Sequence, residues 1–359
     1  MSYRIAINGY GRIGRCVLRA FYESASNSLL NNGGPKPVDA NYEDPCAGLE
    51  IVAINDVADI KTLAHLTRYD STHGRFLGSV EEAGNSLRIN GDEISIYNSE
   101  DIAQLPWKEL GIDLVMECSG VFSDRRTAQR HLDSGAGKLL FSQPAESDVD
   151  ATVVYGINHD SLTADARIVS NASCTTNCIV PVLKVLDDSF QVESGVITTI
   201  HSAMNDEPVI DSYHHNDLRR TRSAMQSIIP VDTGLSKGIA RILPNLEGVL
   251  EAQAIRVPTV NVSAIDVTVL VKQATDTETV NRCIREASAT LPTNVLGVTD
   301  EPLASCDFNH DPRSAIVDLN QTRVAGKNLV KLLVWFDNEW AYANRMLDVA
   351  QVMKQMSAK

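Results

Sequence analysis

The sequence predicts an α/β fold in which parallel strands alternate with helices, and three observations near the amino terminus carry that prediction. Tyr3–Ile7 is a short apolar run typical of a buried strand. The segment Asn8–Arg15 follows it and contains three glycines with the spacing GxGxxG. Apolar residues then recur at helical spacing from Cys16 to about Ser24. A strand, a glycine-rich turn and a helix in this order are typical of a doubly wound parallel sheet.

The three glycines indicate a dinucleotide site. Gly9 would allow the tight turn, and Gly11 would let the backbone approach a pyrophosphate. Gly14 would let the helix pack closely on the strand. We therefore interpret the first part of the chain as a Rossmann domain. The alternative is a glycine-rich turn without a ligand.

The second strand, Glu50–Asp56, ends in an acidic residue that favours NAD over NADP. The Asp56 carboxylate could accept hydrogen bonds from the adenosine ribose and would repel a 2′-phosphate. The alternative is a turn or cap residue. Asp56 follows Gly14 by 42 residues, whereas about 20 are usual. We therefore predict a surface-loop insertion at about residues 25–48, on the side of the sheet opposite the cofactor.

Further runs complete the predicted strands and helices. The dipeptide Asn90-Gly91 favours a two-residue hairpin turn. Ser119 follows a predicted strand at a strand-to-loop switch where a cofactor could pass. The predicted elements are strands at Ser86–Ile89, Glu93–Tyr97, Leu114–Cys118, Leu139–Phe141, Gly195–Ile200, Val260–Val271 and Val330–Phe336, and a helix from about Ala343 to Met356.

The segment Ser170–Cys178 is the strongest indication of chemistry. It lies between a strand-like run, Arg167–Val169, and a helix-like run that begins at Ile179, so Cys174 is predicted at a helix N-terminus. The unpaired amides and the macrodipole there favour an anion. The thiol should therefore lose its proton more easily, and the thiolate is the nucleophile. The same amides could stabilise an oxyanion, which predicts covalent catalysis by Cys174.

Two further residues are candidates for this site. His201 ends the strand Gly195–Ile200 and could act as base for the thiol and as acid toward a carbonyl oxygen; the alternative is a structural histidine. Arg256 is a candidate anion clamp, and the alternative is an ion pair with a structural carboxylate. The segment Val231–Gly234 opens a predicted helix after a long, polar and irregular stretch, 206–232, and could present amides to a phosphate.

Bulk composition narrows the class of protein. The 359 residues suggest two domains. A net charge of −14 argues against nucleic acid or an anionic membrane surface as partner. Seven scattered cysteines and the lack of a signal peptide or apolar span favour a reducing cytoplasm. The cysteines and histidines match no zinc spacing, so no metal is predicted.

Four segments together resemble the glyceraldehyde-3-phosphate dehydrogenase family: Asn8–Arg15, Ser170–Cys178, Ile255–Pro258 and Trp335–Tyr342. The resemblance covers nearly the whole chain apart from the insertion. It implies an α/β protein with two domains, in which a Rossmann sheet binds NAD and an α/β catalytic domain contains a mixed sheet. It also implies a homotetramer that acts on a small sugar phosphate.

The resemblance implies domain limits and residue roles. The NAD-binding domain would be residues 1–173, completed by a C-terminal helix at about 341–359, and the catalytic domain would be 174–340. Cys174 would be the nucleophile, activated by His201. Ser173, Thr175, Thr233 and Gly234 would line one anion site, Arg256 would bind the substrate phosphate, Asn338 would hold the nicotinamide amide, and Arg12 and Ile13 would lie along the pyrophosphate.

Two departures from the family pattern point to the substrate. The glycolytic enzymes have phosphate-binding threonines three and five residues after the histidine, where this chain has Met204 and Asp206. A carboxylate about 4 Å from a phosphate costs about 4 kcal/mol at an effective dielectric near 20. The segments His201–Asp206 and Phe308–Pro312 resemble a branch that oxidises D-erythrose 4-phosphate with NAD and water to 4-phospho-D-erythronate, toward pyridoxal 5′-phosphate. The alternative is the phosphorylating glycolytic dehydrogenase.

Overall fold

Most of the described strands fall into two large sheets, and two short strands form a separate antiparallel pair. The computed structural model describes residues 2–29, 46–214 and 217–357, with the side chains of 25–29 excepted. The strands are β1 (Tyr3–Asn8), β2 (Leu49–Asn55), β3 (Tyr69–Asp70), β4 (Gly74–Arg75), β5 (Val80–Ala83), β6 (Ser86–Ile89), β7 (Asp92–Tyr97), β8 (Leu114–Glu117), β9 (Lys138–Phe141), β10 (Ala151–Thr152), β11 (Ile168–Ser170), β12 (Val192–Ser202), β13 (Ile229–Val231), β14 (Leu250–Val257), β15 (Ser263–Val271), β16 (Leu296–Thr299), β17 (Ala315–Asp318), β18 (Arg323–Ala325) and β19 (Leu329–Phe336).

The helices lie between these strands in the chain, and the last one follows β19. The chain divides into two units, of which the first comprises Met1–Ser173 with Tyr342–Lys359 and the second Cys174–Ala341. Among the described helices, none is long and apolar enough to cross a membrane. The α-helices are α1 (Arg12–Leu29), α2 (Ile60–Arg68), α3 (Trp107–Leu110), α4 (Arg125–Asp133), α5 (Cys174–Phe190), α6 (Leu235–Ile242), α7 (Thr277–Thr290) and α8 (Trp340–Ser357).

The sheet of the first unit is mostly parallel. Its parallel strands lie in the order β10-β11-β9-β8-β1-β2-β7, and β6 and β5 extend it with antiparallel pairs. Strand β1 is central, and both β2 and β8 run parallel to it. The strand order reverses at β1, so a crevice lies beyond the carboxyl ends of β1 and β8, which is the usual ligand position in such sheets. The predicted doubly wound sheet is confirmed.

Burial on both faces explains why these strands are so apolar. In β1, Ile5, Ala6 and Ile7 are all fully buried, as expected for a parallel strand covered on both sides. One core cluster joins Ala6 to the indole of Trp107 and to Phe141. Each large side chain buried in this way contributes roughly 1.5–3 kcal/mol, so the sheet holds the glycine-rich turn on a rigid base.

The predicted hairpin is confirmed, because β6 and β7 are antiparallel and joined by Asn90 and Gly91. Both residues have positive φ, 51° and 101°, as a type I′ turn requires. The predicted end of the first helix at Ser24 is wrong, since α1 continues to Leu29. The insertion predicted at about residues 25–48 therefore overlaps the last residues of α1. Its residues 30–45 lie outside the described part of the chain.

The chain rejoins the sheet after the insertion at the amino end of β1. Residues 46–48 form a turn, and the carbonyl of Gly48 accepts a hydrogen bond from the Tyr3 amide at 2.9 Å. The Lys354 ammonium of α8 donates to the carbonyl of Ala47. Residues 46–48 therefore lie at the end of the sheet opposite the carboxyl ends of the strands, and the position of the insertion itself stays a prediction.

The sheet of the second unit is mixed, which confirms the predicted fold class. Its strands lie in the order β13-β14-β12-β15-β19-β17-β16, with β18 paired to β19. The pairs β12–β14 and β16–β17 are parallel, and the other pairs are antiparallel. Helix α5 packs against β12, β15, β17 and β19, and most of its side chains are buried. This packing fixes the helix that begins with Cys174.

The stretch 206–232 is less irregular than the sequence predicted. Its described residues, 206–214 and 217–232, include a turn of 3₁₀ helix, Arg219–Thr221, and strand β13. Strand β13 forms the sheet edge and places Ile229 opposite Arg256 of β14. Its Pro230 is exposed, and an edge strand tolerates proline because one side of its ladder needs no donor. The edge strand ties this stretch to the strand that carries Arg256.

Candidate active site

The glycine turn of the first unit is shaped by close backbone contacts. Gly9 has a φ of +89°, and a Cβ there would lie 2.4 Å from the Cα of Ser119. A Cβ at Gly14 would lie 2.2 Å from the Gly9 carbonyl oxygen. In contrast, a Cβ at Gly11 would meet no atom of the described residues within 4 Å. Gly9 and Gly14 are thus required by packing of the protein on itself, whereas the space beside Gly11 can admit a ligand.

The Asp56 carboxylate holds this turn in place. Its Oδ2 accepts a hydrogen bond from the Tyr10 amide at 2.7 Å, and its Oδ1 accepts one from the Ala58 amide at 2.9 Å. Asp56 is therefore a turn-capping residue in this structure. Each carboxylate oxygen can accept a further hydrogen bond, so the contact with a ribose stays a prediction.

Arg12 begins α1 and directs its side chain to a carboxylate rather than into the crevice. Its guanidinium forms a two-point contact with Asp70, with Nη1–Oδ2 at 2.5 Å and Nη2–Oδ1 at 3.2 Å. Burial would raise the pKa of Asp70, but hydrogen bonds from the His73 amide and from Arg12 outweigh burial and hold that pKa well below its usual range. Arg12 and Ile13 could therefore serve a pyrophosphate through the amides of the first helical turn.

Glu117 is a buried residue that sequence reasoning missed. Its Oε2 accepts hydrogen bonds from Asn8 Nδ2 at 2.6 Å and pairs with His131 Nε2 at 3.1 Å. Its Oε1 accepts from the Ser119 amide at 2.8 Å, so one carboxylate joins the carboxyl ends of β1 and β8. Trp107 Nε1 donates to His131 Nδ1 at 3.0 Å, which orients the imidazole. The only signal in the sequence is an acidic residue inside an apolar run.

Cys174 is the first residue of α5, as predicted. Strand β11 ends at Ser170, and three residues bring the chain from the strand to the helix. Ala172 in this link has a φ of +54°, which is uncommon for a residue with a side chain. The Ala172 amide donates to Ser170 Oγ at 3.1 Å, and this contact supports the bend. A strained backbone therefore precedes the predicted nucleophile, as is common at functional sites.

His201 faces the thiol with an unprotonated nitrogen. The Cys174 Sγ lies 3.8 Å from His201 Nε2, and His201 Nδ1 lies 2.8 Å from the Ser202 carbonyl oxygen. Because a carbonyl only accepts, Nδ1 carries the proton and Nε2 is the basic nitrogen. Burial, with a smaller contribution from the nearby Arg256 charge, lowers the pKa of His201 to about 4. The ring is therefore neutral near pH 7 and able to accept a proton.

The expected easy ionisation of Cys174 is wrong for this structure. Burial raises the pKa of the thiol, although the Arg256 charge and hydrogen bonds from the amide and hydroxyl of Thr175 act in the opposite direction. Removing water from an anion costs more than one helix terminus returns. The structure thus describes a thiol next to a neutral imidazole, so the proton must move to His201 as the sulfur attacks. Cys178, one turn along, is fully buried core.

Arg256 lies beside the pair and is held by a buried carboxylate. It is in register with His201 in the parallel pair β12–β14. Its Nε donates to Glu207 Oε1 at 3.0 Å, and the Glu207 side chain has no exposed surface. Glu207 Oε2 accepts from the Met204 amide at 3.0 Å. In this structure Arg256 therefore forms the ion pair with a structural carboxylate that was the alternative to an anion clamp. The contact of Arg256 with a phosphate stays a prediction, and it would use the remaining guanidinium nitrogens.

Asp206 is not the unpaired carboxylate that the sequence suggested. Its Oδ2 accepts a hydrogen bond from Arg220 Nη1 at 2.9 Å and lies 4.0 Å from Arg256 Nη2. A simple repulsion between Asp206 and a phosphate is therefore the wrong description, because two arginines offset its charge. Sequence reasoning missed Arg220, whose only signal was its place in a polar stretch rich in arginine.

The predicted anion-site residues lie at the starts of two helices. Ser173 directly precedes α5, and Thr175 is its second residue. Gly234 caps α6, and Thr233 Oγ1 accepts from the Leu235 amide at 3.2 Å. Helices α5 and α6 pack against each other. A common anion site formed by these residues stays a prediction.

Asn338 is held by two serines that sequence reasoning missed. Its Oδ1 accepts hydrogen bonds from Ser202 Oγ at 3.0 Å and Ser263 Oγ at 2.9 Å. Its Nδ2 is therefore the group left to donate, which suits the carbonyl oxygen of a carboxamide. The backbone carbonyl of Ser202 also accepts a hydrogen bond from His201 Nδ1. Ser202 therefore orients both the base and Asn338. The contact of Asn338 with nicotinamide stays a prediction.

The fold and the open turn at Gly11 are those of a dehydrogenase that uses a nicotinamide dinucleotide. Residues 34–125 match the family model described as glyceraldehyde 3-phosphate dehydrogenase, NAD binding domain. Residues 173–338 match the one described as glyceraldehyde 3-phosphate dehydrogenase, C-terminal domain. The chain therefore belongs to the glyceraldehyde-3-phosphate dehydrogenase family and is an NAD-dependent aldehyde-phosphate dehydrogenase. The predicted cofactor, NAD, is confirmed.

Proposed function

We propose that this enzyme oxidises D-erythrose 4-phosphate to 4-phospho-D-erythronate with NAD, and that water releases the product. The observation that carries the proposal is Asp206, five residues after His201. Its carboxylate lies 2.9 Å from Arg220 and 4.0 Å from Arg256. This position, which is threonine in the glycolytic enzymes, thus holds a carboxylate paired with arginine beside Cys174 and His201, and the difference supports a substrate other than the three-carbon phosphate.

The first step follows from the geometry of Cys174 and His201. As Sγ attacks the aldehyde carbon, its proton passes to His201 Nε2 and a carbon–sulfur bond forms. The carbonyl oxygen takes up negative charge, which the amides at the start of α5 can stabilise, and protonation gives a thiohemiacetal. Arg256 adds positive charge beside the sulfur and favours the same step.

The second step oxidises the thiohemiacetal to a thioester on Cys174. Bound NAD supplies the acceptor for a hydride. His201 Nε2 accepts the hydroxyl proton, and Asn338 would orient the carboxamide through its Nδ2. Water then adds to the thioester carbon, the carbon–sulfur bond breaks, and the thiol leaves with one proton. The sum is aldehyde, water and NAD giving acid, NADH and one proton.

The phosphorylating glycolytic dehydrogenase is the second candidate. Ser173, Thr175, Thr233 and Gly234 favour it, because their hydroxyls and amides at two helix starts suit inorganic phosphate. In that reaction phosphate rather than water attacks the thioester. The two candidates share the steps on Cys174 and His201 and differ in the substrate and in the final acceptor.

NAD reduction separates the candidates. We expect the purified enzyme to form NADH faster with D-erythrose 4-phosphate than with glyceraldehyde 3-phosphate, and to do so without inorganic phosphate. Both substrates are assayed with and without phosphate. Turnover of the three-carbon substrate that requires phosphate would refute the proposal and identify the glycolytic reaction.

We further propose a cytoplasmic homotetramer, in which residues 1–173 and about 341–359 bind the cofactor and 174–340 carry out the chemistry. Family membership supports this organisation. Light scattering on the purified protein tests the tetramer, and a monomeric or dimeric mass at micromolar concentration would contradict it.

A further inference from the structure

We infer that Asp337 is a positioning residue for the cofactor, and that it acts through its neighbour Asn338. Asp337 lies between strand β19, which ends at Phe336, and helix α8, which begins at Trp340. Its side chain has no exposed surface, so it would not touch NAD itself. The inference rests on the part of the proposed function in which Asn338 orients the nicotinamide carboxamide, and it does not depend on which sugar phosphate is oxidised.

The buried carboxylate of Asp337 accepts four hydrogen bonds. Its Oδ1 accepts from the amides of Glu339 and Trp340 at 2.9 and 2.8 Å. Its Oδ2 accepts from the His310 amide at 2.7 Å and from Asn261 Nδ2 at 2.8 Å. A carboxylate has about four acceptor sites, so all of them are used. One side chain thus fixes the turn before α8 and joins it to two other segments of the chain.

Strand β15 holds the side chain of Asn338 from the same place. Ser263, the first residue of β15, donates to Asn338 Oδ1 at 2.9 Å. Asn261, which binds Asp337, lies two residues earlier, and Val262 between them has a φ of +64°. A β-branched residue rarely adopts this conformation, and such strain persists only where the surrounding contacts enforce it. The segment 261–263 therefore fixes both the turn and the amide group that it carries.

The segment Phe308–Pro312, which resembled one branch of the family in the sequence, is part of this support. The Oδ1 of Asn309 accepts from Asn261 Nδ2 at 2.7 Å. The His310 imidazole stacks on the Trp340 indole, with ring centroids 3.6 Å apart and an angle of 21° between the planes. These contacts assign the segment to the turn that precedes α8.

The expected consequence is an amide that is oriented before NAD binds. Two serine hydroxyls donate to Asn338 Oδ1, and Nδ2 is the group that donates to the carboxamide. A group that is already held in its bound conformation loses less entropy on binding. Loosening the turn at Asp337 should therefore weaken the binding of the nicotinamide end and leave the binding of the rest of the cofactor unchanged.

The test is Asp337→Asn, which keeps the size of the side chain and replaces one accepting oxygen by an NH₂ group. Two of the four donors would then face a donor. Titration calorimetry measures the Kd of the enzyme for NAD and for ADP-ribose, which lacks nicotinamide. We expect NAD to bind about three- to tenfold more weakly to the variant, as the loss of one neutral hydrogen bond predicts, and ADP-ribose to bind equally well.

Asn338→Ala shows whether Asp337 acts through Asn338. This variant should weaken NAD binding by a similar factor and leave ADP-ribose binding unchanged. Adding Asp337→Asn to it should cause no further loss, because both substitutions remove the same contact. Two independent effects would instead multiply.

Asp318→Asn is the matched control. Asp318 is a buried carboxylate at the end of β17 in the same sheet, and its Oδ1 accepts from the Asn320 amide at 3.1 Å. Its substitution should leave the Kd for NAD unchanged. Asn261→Ala removes one donor and keeps the Asp337 carboxylate, so it tests the same contact if Asp337→Asn does not fold. We expect the same selective loss of NAD binding, with a smaller factor.

The outcomes separate positioning from a general effect on the fold. A loss of NAD binding that spares ADP-ribose and vanishes in the Asn338→Ala background would support the inference. Equal losses for both ligands, a further loss in the double variant, or an unchanged Kd for NAD in Asp337→Asn or Asn338→Ala would overturn it. The titrations contain no sugar phosphate, so failure of the enzyme to oxidise D-erythrose 4-phosphate would remove the proposed substrate without changing this result.

Discussion

The glycine turn of the first unit and the Cys174 site of the second unit are built on opposite principles. The turn depends on side chains that are absent, because Cβ atoms at Gly9 and Gly14 would lie within 2.4 Å of backbone. The Cys174 site depends on side chains that face one another, with a thiol and an imidazole 3.8 Å apart. A cofactor site can thus rest on backbone shape, whereas chemistry requires placed functional groups.

Charge is handled differently in the two regions. In the first unit, Asp56 and Glu117 accept hydrogen bonds chiefly from amides and hold loops together. In the second unit, Asp206 and Glu207 pair with arginines beside the catalytic residues. The first arrangement stabilises the backbone shape of the glycine turn, which suits the cofactor NAD. The second places paired charges next to Cys174 and His201.

The largest effect should come from removing the sulfur. Cys174→Ser should lower kcat by more than roughly 10⁴-fold, the order seen when a nucleophile is lost, because a serine hydroxyl beside a neutral imidazole is a weaker nucleophile than the thiol. NAD affinity should change little, since the cofactor turn lies in the first unit. Steady-state NADH formation and NAD titration measure both. Near-normal turnover would refute covalent catalysis at this residue.

The burial of His201 should make the folded protein less stable at acidic pH. Its pKa is about 4 in the folded protein and 6.5 when unperturbed, so between these values the unfolded chain binds a proton that the folded protein does not. Stability should therefore rise with pH across this window, by about 3 kcal/mol in total from His201 alone. Above pH 6.5 this contribution should be constant.

The measurement compares denaturant unfolding of the wild type and His201→Asn from pH 4 to pH 7. The variant should show a smaller rise over this range, and kcat should fall by about 10²–10⁴-fold, because the base is lost. His65→Asn is the control, because it removes an exposed imidazole outside the site. Identical slopes for wild type and His201→Asn would show that the imidazole is not buried as a neutral group.

The smallest expected effects concern Gly14 and Gly11, whose substitution should impair stability and NAD binding, respectively. Gly14→Ala should destabilise the first unit by about 1–3 kcal/mol, as overpacking does, because its Cβ would strike the Gly9 carbonyl. Gly11→Ala should leave the unfolding midpoint almost unchanged and raise the Kd for NAD. Thermal unfolding with and without NAD distinguishes the two. Equal losses of stability in both variants would contradict the view that Gly11 serves a ligand.

Local patterns in the sequence determined much of this protein. The Rossmann domain follows from a strand, GxGxxG and a helix within about 20 residues, because each glycine meets a steric demand set by its immediate neighbours. The hairpin at Asn90-Gly91 and the helix that starts at Cys174 follow from equally local rules. These features were readable because turn geometry and helix starts depend on adjacent residues.

Only the tertiary structure decided the electrostatics of the site. Ser202 and Asn338, 136 residues apart, meet through a hydrogen bond, and Glu207 reaches Arg256 across 49 residues. No spacing rule predicts such pairs, because sheet order and register create them. The expected low pKa of Cys174 was wrong for the same reason. A helix start is visible in the sequence, but the burial that removes water from the thiol is a property of the packed fold.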